Sequence, residues 1–535
     1  MLIGKCFLWT NILKKVDGCY HKNLACTVAN PISKDMARRP RKQPTSVKNN
    51  YAQLSHILAP QSIISDDHIE QIHANALTIL QDLGIKILFD EARDLLQKAG
   101  AHVVEEMVFF PRDMIEHALM TAPKRYVLRA PNSQNDQAIF LGRQLFASSG
   151  GCPNAFDRIR GRRPGNLDSF RDAIQLQQSF DIIHKLSPAP EPQDIPLHLR
   201  HLAMTETQLA NADKALALYA RGRAQTQQMF ELIQSAVDLS DDEFFADPYC
   251  STVINTNSPR LIDIPMAEGI IDFARAGQLT IITPFCLAGA MAPITVAGAL
   301  TLQHAEALAG ITLAQMAKSG APVMYGGFGT NVDMKSGAPA FGTPTHMQMT
   351  LGTGQLARHI GLPWRSAAGS ASNTHDMQSA SENTLGLMAT TLAQTTLTLH
   401  AAGWLEGGLT FGYEKFINDI ETLQTLGHFS KGVDQSDLAL TLDPITQVLP
   451  GGHFFETPQT MARYATEFYD PTIADLSNFG TWESTGAQPS QDRATKIWQS
   501  VLNQFTPPSG TRIRIERITD MLAHFREMGG AAISQ

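Results

Sequence analysis

Residues 321–416 carry the pattern that decides the fold. They read APVMYGGFGTNVDMKSGAPAFGTPTH over 321–346, GLPWRSAAGSAS over 361–372 and TLTLHAAGWLEGGLTFGYEKF over 396–416. In each piece a short apolar run leads into glycines, aromatic residues and polar groups. Apolar runs of about five residues that end in glycine are typical of buried parallel strands. In a barrel of such strands the loops that follow carry the chemistry, so we expect the functional residues there.

Strand and helix patterns alternate regularly beyond Asn166. Seven candidate strands follow one another at intervals of about 30 to 45 residues, the spacing of a βα repeat. They are DIIHKL from Asp181, ALALYA from Ala215, STVINTN from Ser251, LTIITPF from Leu279, PVMYGG from Pro322, PWRSAAG from Pro363 and TLTLHAAG from Thr396. This pattern predicts an α/β fold with a TIM-type (β/α)8 barrel.

The eighth strand is harder to place. The sequence leaves two candidates, a segment near Leu438 to Leu449 and the extended segment around Phe146. A doubly wound open sheet would show the same alternation. We disfavour it because no GxGxxG motif follows the first candidate strand.

The rest of the chain divides into three further parts. Residues 1–60 are expected to be a disordered arm, with order beginning at Ser65, and 61–165 a region of helices and hairpins. The barrel is assigned to 166–485, and two or three closing helices to 486–535. Helix patterns start after Ser65, near 90–99 and at PRDMIEHALMTAP, and hairpins are expected between Tyr126 and Asp157.

The first 35 residues show no periodicity. Met36 opens the polar and basic sequence MARRPRKQP, so translation starting at Met36 is an alternative to translation from Met1. We interpret the basic residues of this sequence as a solvated tail rather than a contact surface.

Composition excludes several classes of protein. With 43% hydrophobic and 18% charged residues the chain is typical of a soluble enzyme, and its net charge of −8 argues against a nucleic-acid binder. Its six cysteines show no CxxC spacing, which indicates a reducing, cytoplasmic compartment. No apolar run reaches 18 residues, so we expect no membrane segment.

The same stretches also carry a family resemblance. YGGF, DM.SGAPAFGTP, GQLAR..GLP.R and HAAGWLEGGL..GYEKF resemble the trimethylamine methyltransferase family, and the match runs in order from about Ile64 to about Glu527. Members of that family move a methyl group from a methylated amine to a corrinoid protein. The resemblance therefore implies a TIM-type barrel and cobalt-dependent methyl transfer.

The resemblance also indicates the branch of the family. Its trimethylamine enzymes contain pyrrolysine, whereas this chain has only standard residues in its core region. It is similar to the branch without pyrrolysine, which includes demethylases of glycine betaine and related quaternary amines. We then expect no tightly bound cofactor, a corrinoid supplied by a separate protein, and self-association into a homo-oligomer.

A quaternary ammonium group is best recognised by aromatic faces, because it has no hydrogen-bond donor. Aromatic residues at or just beyond the predicted strand ends are the candidate substrate-binding residues: Tyr325, Phe328, Trp404 and Tyr413, with Phe411 beside them. For each of them, simple packing against a neighbouring helix is the alternative.

Polar residues at the same ends supply the other candidates. Glu406, Asp333 and His346 are the candidate catalytic groups, with Glu406 as the counter-charge for an ammonium and Glu382 as a further carboxylate. Arg365 could bind a substrate carboxylate through its planar fork or form a structural ion pair. Asn255 and His400 complete the predicted binding set, and Glu414 and Lys415 are interpreted as a solvated helix start.

Three other functions remain open at this point. A barrel that binds quaternary amines without catalysis would have the same sequence features, as would a tertiary-amine methyltransferase or a barrel enzyme of unrelated chemistry. A zinc enzyme is disfavoured because Cys250 and Cys286 lack a His-x-Cys companion, and we predict no metal site.

Overall fold

Eight parallel strand positions form a closed barrel in the computed structural model, which describes residues 51–534. Seven of them are strands: β1 (Leu145–Phe146), β3 (Leu216–Leu218), β4 (Cys250–Ile254), β5 (Leu279–Ile282), β6 (Val323–Gly326), β7 (Trp364–Ala367) and β8 (Leu397–Leu399). The second position, β2, is the single residue Lys185, which forms parallel bridges to Ala147 and Ala215. β8 pairs in parallel with β1, and this pairing completes the ring.

Helices follow the barrel positions in the order of the chain. Within the described residues these are α1 (Leu167–Ser179), α2 (Leu197–Asn211), α3 (Arg223–Val237), α4 (Ile264–Arg275), α5 (Val296–Ala317), α6 (Pro344–Ile360), α7 (Met377–Leu392) and α8 (Tyr413–Phe429). The predicted (β/α)8 barrel is confirmed, and the open-sheet alternative is wrong because both edges of the sheet are paired.

The segment around Phe146 supplies the strand that the sequence could not place. The other candidate, near Leu438 to Leu449, is wrong, since that region contains the short helices Asp437–Leu440 and Asp443–Thr446 with exposed leucines. The four-part division of the chain stays a prediction, although β1 lies before residue 166, where we expected the barrel to begin.

Apolar side chains fill the amino-terminal end of the barrel. Leu279 and Leu397 begin β5 and β8 and pack with Leu128 and Ile139 of an antiparallel hairpin, Tyr126–Leu128 with Gln137–Ile139. The hairpin is fixed to β6 by Tyr126, whose hydroxyl donates to Val323 O at 3.0 Å. This end is therefore closed, and open space lies towards the carboxyl ends of the strands.

The remaining elements surround the barrel. Before β1 lie the helices Asp66–Thr78, Asp90–Lys98 and Arg112–Thr121, the π-helical turn Ile79–Leu83 and the strands Ile85–Ile87, His102–Val104 and Met107–Phe109. Over the carboxyl ends lie the strands Asn154–Asp157, Gly161–Pro164, Leu287–Ala288, Thr330–Val332, Pro339–Ala340, Trp404–Leu405 and Thr410–Gly412. Further helices are Asp241–Ala246, Pro458–Arg463, Phe479–Ser484, Ser490–Asn503 and Thr511–Glu527.

Two expectations from the sequence are wrong, because the structure buries side chains that were expected to be exposed or disordered. Glu414 and Lys415 are fully buried rather than solvated, because the segment Ser490–Asn503 packs over α8 and Trp498 Nε1 donates to Glu414 Oε1 at 3.0 Å. Order begins before Ser65, since Tyr51 and Leu54 are buried. The expectations for residues 1–50, including the start at Met36, lie outside the described residues.

No helix in the described part of the chain, residues 51–534, is both long enough and apolar enough to cross a membrane.

Residues 51–60 should contribute measurably to stability. Tyr51 and Leu54 are buried, Arg143 Nη1 donates to Leu54 O at 2.8 Å, and the carbonyl of Thr395 accepts from His56 Nε2 at 2.9 Å. A variant that starts at Gln61 should lose at least about 3 kcal/mol of unfolding free energy relative to one that starts at Tyr51, because two large buried side chains are removed. Urea unfolding of both variants tests this, and equal midpoints would contradict it.

Candidate functional site

A cavity of about 530 Å³ opens at the carboxyl ends of the barrel strands. Its volume lies in the range of small-molecule sites, roughly 300–1,000 Å³. The structure brings together at its wall five of the residues predicted from the sequence: Asn255, Phe328, Arg365, His400 and Trp404. They come from β7 and from the loops after β4, β6 and β8.

Arg365 lies in β7 with its guanidinium at the cavity wall and is 1% exposed. Its Nη2 donates to His400 Nε2 at 2.9 Å, while Nε and Nη1 are buried without a hydrogen-bond partner among residues 51–534. Burial lowers the pKa of Arg365 to about 9, so the group is still cationic at neutral pH. Buried unpaired N–H groups are costly, and a ligand with acceptor oxygens would satisfy them.

Aromatic rings form one wall of the cavity. Phe328 lies 5.4 Å from Trp404 and 4.9 Å from Phe285 between ring centroids, and Phe341 stacks behind it at 5.3 Å. The guanidinium of Arg365 lies 4.9 Å from the Phe328 centroid. Phe285, Phe328 and Trp404 therefore give the cavity an aromatic lining on one side.

The loop after β8 carries two of the cavity residues, and buried contacts hold it in place. His400 has a left-handed backbone with φ of 54°, which is unfavourable for a residue with a side chain. The carboxylate of Asp419 in α8 accepts from the Gly403 N–H at 2.9 Å and pairs with buried Lys415. This pair fixes the backbone next to Trp404, so the ring position is set from outside the cavity.

Two predicted aromatic residues lie elsewhere. Tyr325 points to the outer side of the barrel, where its hydroxyl and His304 Nδ1 are 3.0 Å apart. Tyr413 starts α8 and donates to Asp172 Oδ2 at 3.0 Å in α1. Both side chains thus contact neighbouring helices, which is the alternative given for them in the sequence analysis. Their role in substrate binding stays a prediction.

The three predicted catalytic groups also lie outside the cavity. Glu406 pairs with half-exposed Arg162, with 2.9 Å between Oε1 and Nε. Asp333 accepts from Ser336 Oγ at 2.6 Å and from the Ser336 N–H at 2.9 Å within a surface turn, and these contacts lower its pKa. His346 is buried behind Phe341 at the start of α6, where burial lowers its pKa to about 4 and leaves the ring neutral. Glu382, the further carboxylate, clamps the loop after β7 through Ser370 Oγ at 2.6 Å.

The cavity also contains residues that the sequence analysis did not select. Lys185, Tyr219 and Phe285 contribute to its lining. For Lys185 the sequence offered a usable signal, a lysine inside the candidate strand DIIHKL, since a charge facing a barrel interior needs a reason to be there. Phe285 follows β5 within TPF and could have been selected by the same strand-end argument as Phe328.

Positive charge predominates at the lining. Among the described residues that line the cavity, Asp263 is the single carboxylate, and it is engaged by the Met266 N–H at 3.0 Å and by Asn257 Nδ2 at 3.0 Å. Arg221 is paired with Glu191, whose Oε2 lies 2.9 Å from Nη2. Lys185 and Arg365 have no such partner among the described residues, so the cavity favours a ligand with an anionic group.

Within residues 51–534 no cluster of three or more His, Cys, Asp and Glu side chains is placed to hold a metal ion.

Comparison with known proteins gives consistent matches over most of the chain. The family model described as trimethylamine methyltransferase (MTTB) matches residues 33–529. A glycine betaine methyltransferase of Desulfitobacterium hafniense (strain Y51) is 33% identical over 458 residues, which cover 85% of this chain and 95% of that protein. Trimethylamine methyltransferase MttB of D. hafniense (strain DSM 10664 / DCB-2) is 29% identical, with coverage of 83% and 90%. The solved monomethylamine methyltransferase (MtmB) of Methanosarcina barkeri aligns with a TM-score of 0.48 at 10% identity, over 86% of this chain and 88% of that one.

Gly408 should be needed for the position of Trp404. It has a φ of 111°, and a Cβ there would lie 2.6 Å from an indole carbon of Trp404. Gly408→Ala should therefore displace the ring and cost about 1–3 kcal/mol, the usual penalty of overpacking, with a changed near-UV circular dichroism spectrum. Gly432→Ala is the matched control, because Gly432 has a φ of 76° and no atom of the described residues lies within 4 Å of its Cβ position. Equal effects of the two substitutions on stability and on the spectrum would contradict the packing role.

Proposed function

Because this chain belongs to the trimethylamine methyltransferase family, we propose that it transfers a methyl group from a quaternary amine that carries a carboxylate, such as glycine betaine, to the Co(I) of a corrinoid protein. The observation that carries the choice of substrate is the pairing of an aromatic wall with an uncompensated arginine in one cavity. A zwitterion matches both features, because its ammonium group suits the aromatic side chains and its carboxylate suits the arginine.

The charge balance of the cavity supports a zwitterion over a simple ammonium ion. The carboxylate expected as counter-charge, Glu406, is paired with Arg162 and is absent from the described lining. A lone trimethylammonium cation would thus lie near Arg365, and the described lining offers a single carboxylate, Asp263, to offset the repulsion. In glycine betaine the substrate carboxylate itself supplies the negative charge.

The residues of this chain bind and orient the substrate in this account. The guanidinium of Arg365 donates to the carboxylate, and the rings of Phe328 and Trp404 hold the trimethylammonium group. This places a methyl group towards the open carboxyl end of the barrel. Holding the reacting carbon in one orientation is a large part of the catalysis that such a site can provide.

The corrinoid, carried by a separate protein, supplies a Co(I) nucleophile for the methyl carbon. The rim of the cavity suits the approach of a second macromolecule, since Gly407 and Gly408 have no side chains there and Leu409 is 53% exposed. The nitrogen departs with its bonding electron pair as a neutral tertiary amine. A quaternary substrate therefore needs no proton donor, in keeping with the neutral His346 behind the aromatic wall.

Self-association, implied by the family resemblance, is part of the same proposal. Light scattering at micromolar concentration tests it, and a particle of one chain's mass, 58.5 kDa, would contradict it.

The substrate should be identified by methylation of reduced cobalamin. Glycine betaine, other carboxylated quaternary amines, choline and trimethylamine are each offered with the enzyme, and the absorbance change of Co(I) cobalamin is followed. We expect activity with glycine betaine or another carboxylated amine, and none with choline or trimethylamine. Activity with trimethylamine alone would contradict the choice of substrate, and inactivity with every amine would favour a non-catalytic binding protein.

The aromatic wall should contribute directly to substrate affinity. Trp404→Leu should weaken glycine betaine binding by about 1–2 kcal/mol through loss of a cation–π contact, measured by calorimetry. Trp498→Leu is the control, because Trp498 is 7% exposed but packs against Tyr413 outside the cavity. Glu406→Gln should also leave affinity within about 0.5 kcal/mol, as expected away from a binding contact. A larger loss for Glu406→Gln than for Trp404→Leu would restore Glu406 as the ammonium partner.

A further inference from the structure

Lys185 has an unusual position for a lysine. It is the single bridge residue that forms the second barrel position, it is 3% exposed, and its side chain reaches the cavity wall. Within the described part of the chain its Nζ has one hydrogen bond, a donation to the neighbouring Leu186 O at 3.1 Å. An ammonium group has three donors, so Lys185 can make further bonds to a ligand.

Lys185 and Arg365 together place two cationic groups in one buried cavity. Neither group has a salt bridge to a carboxylate among the described residues. Isolated buried charges are costly unless they are paired, and each of these side chains repels the charge on the other. An anionic ligand bound by both groups would remove this cost.

We propose that Lys185 is a second carboxylate-binding group beside Arg365, and that this pair makes the cavity select methylated amines with a carboxylate over those without one. The inference rests on the proposed function for the nature of the substrate. It adds a specificity-determining residue from the second barrel position.

The protonation of Lys185 then depends on what is bound. Burial lowers the pKa of Lys185 to about 7, and the charge of Arg365 contributes in the same direction. A bound carboxylate favours the charged form, so binding near or above pH 7 takes up a proton. A bound cation without a carboxylate favours the neutral form of Lys185 instead. Such a cation therefore binds more tightly once Lys185 has lost its proton.

Few other groups at this wall change charge between pH 6 and 8.5. Burial raises the pKa of Cys250 far above this window and keeps that of His400 well below it. Arg365 titrates above the window, at about 9. The remaining charged lining residues, Asp263 and Arg221, are engaged by hydrogen bonds and by Glu191. Between pH 6 and 8, at least about one unit below the pKa of Arg365, the pH dependence of binding therefore reports chiefly on Lys185.

Calorimetric titration with glycine betaine and with choline, from pH 6 to 8.5, tests the inference on the unmodified protein. Glycine betaine affinity should fall as pH rises above 7, by up to about tenfold per pH unit, since one proton is taken up. Choline affinity should rise over the same range. Titration in two buffers of different ionisation enthalpy should show proton uptake with glycine betaine. Equal pH slopes for the two ligands would overturn the proposal.

Substitution identifies the residue responsible. Lys185→Met should weaken glycine betaine binding at pH 6.5 by about tenfold to a hundredfold, the value of a charge-assisted hydrogen bond, and should abolish the pH slope. Lys214→Met is the matched control. Lys214 is equally buried and donates to Gln177 O at 2.7 Å and Phe180 O at 2.8 Å outside the cavity. An unchanged affinity in Lys185→Met, or an equal loss in Lys214→Met, would overturn the proposal.

The two proposals fail in different ways. If glycine betaine is demethylated but its binding shows no proton uptake, the role of Lys185 is wrong and the function stands. If the pH slopes and the Lys185→Met effect are as expected but cobalamin is not methylated, the carboxylate site stands and the methyltransferase function is wrong.

Discussion

Arg365 holds a guanidinium group inside the barrel with one hydrogen bond, to His400, and no carboxylate partner among residues 51–534. This constraint accounts for much of the surrounding arrangement. His400 is held neutral by burial next to it, and Phe328 places its ring face against the guanidinium. A buried cation left in this state is costly for a folded protein. A ligand that carries a negative charge and occupies the cavity would offset the cost of burying this cation.

The barrel fold explains how the other residues of the cavity come together at one end. The amino-terminal end is filled by apolar residues and closed by a hairpin, so the cavity forms at the other end, where the loops after β4, β6 and β8 meet. The loop after β8 is under local strain at His400, and the buried Lys415–Asp419 pair in α8 holds its backbone. Rigid support behind a strained loop is typical of sites that must keep one geometry.

The sequence predicted the architecture well because strand and helix periodicity is a local property. It placed five residues at the cavity, four of them in the loops after β4, β6 and β8 and Arg365 within β7. It did not distinguish inward from outward positions in continuously buried strands, so Tyr325 and Arg365 looked alike although they face opposite sides. Glu406 illustrates a second limit, because its partner Arg162 is 244 residues away and pairings of that kind leave no local pattern. The sequence analysis did not select Lys185, because β2 is a single bridge residue and the whole segment DIIHKL was interpreted as one more strand of the barrel.

The central claim is that the cavity binds a zwitterion in one orientation, with its carboxylate on the buried cations and its methyl groups towards the open end. A crystal structure of the protein with glycine betaine, grown near pH 6.5, tests this most directly. The account predicts carboxylate oxygens within hydrogen-bond distance of Arg365 and the trimethylammonium group against Phe328 and Trp404. A carboxylate directed to the cavity mouth, with the ammonium group beside Arg365, would contradict it.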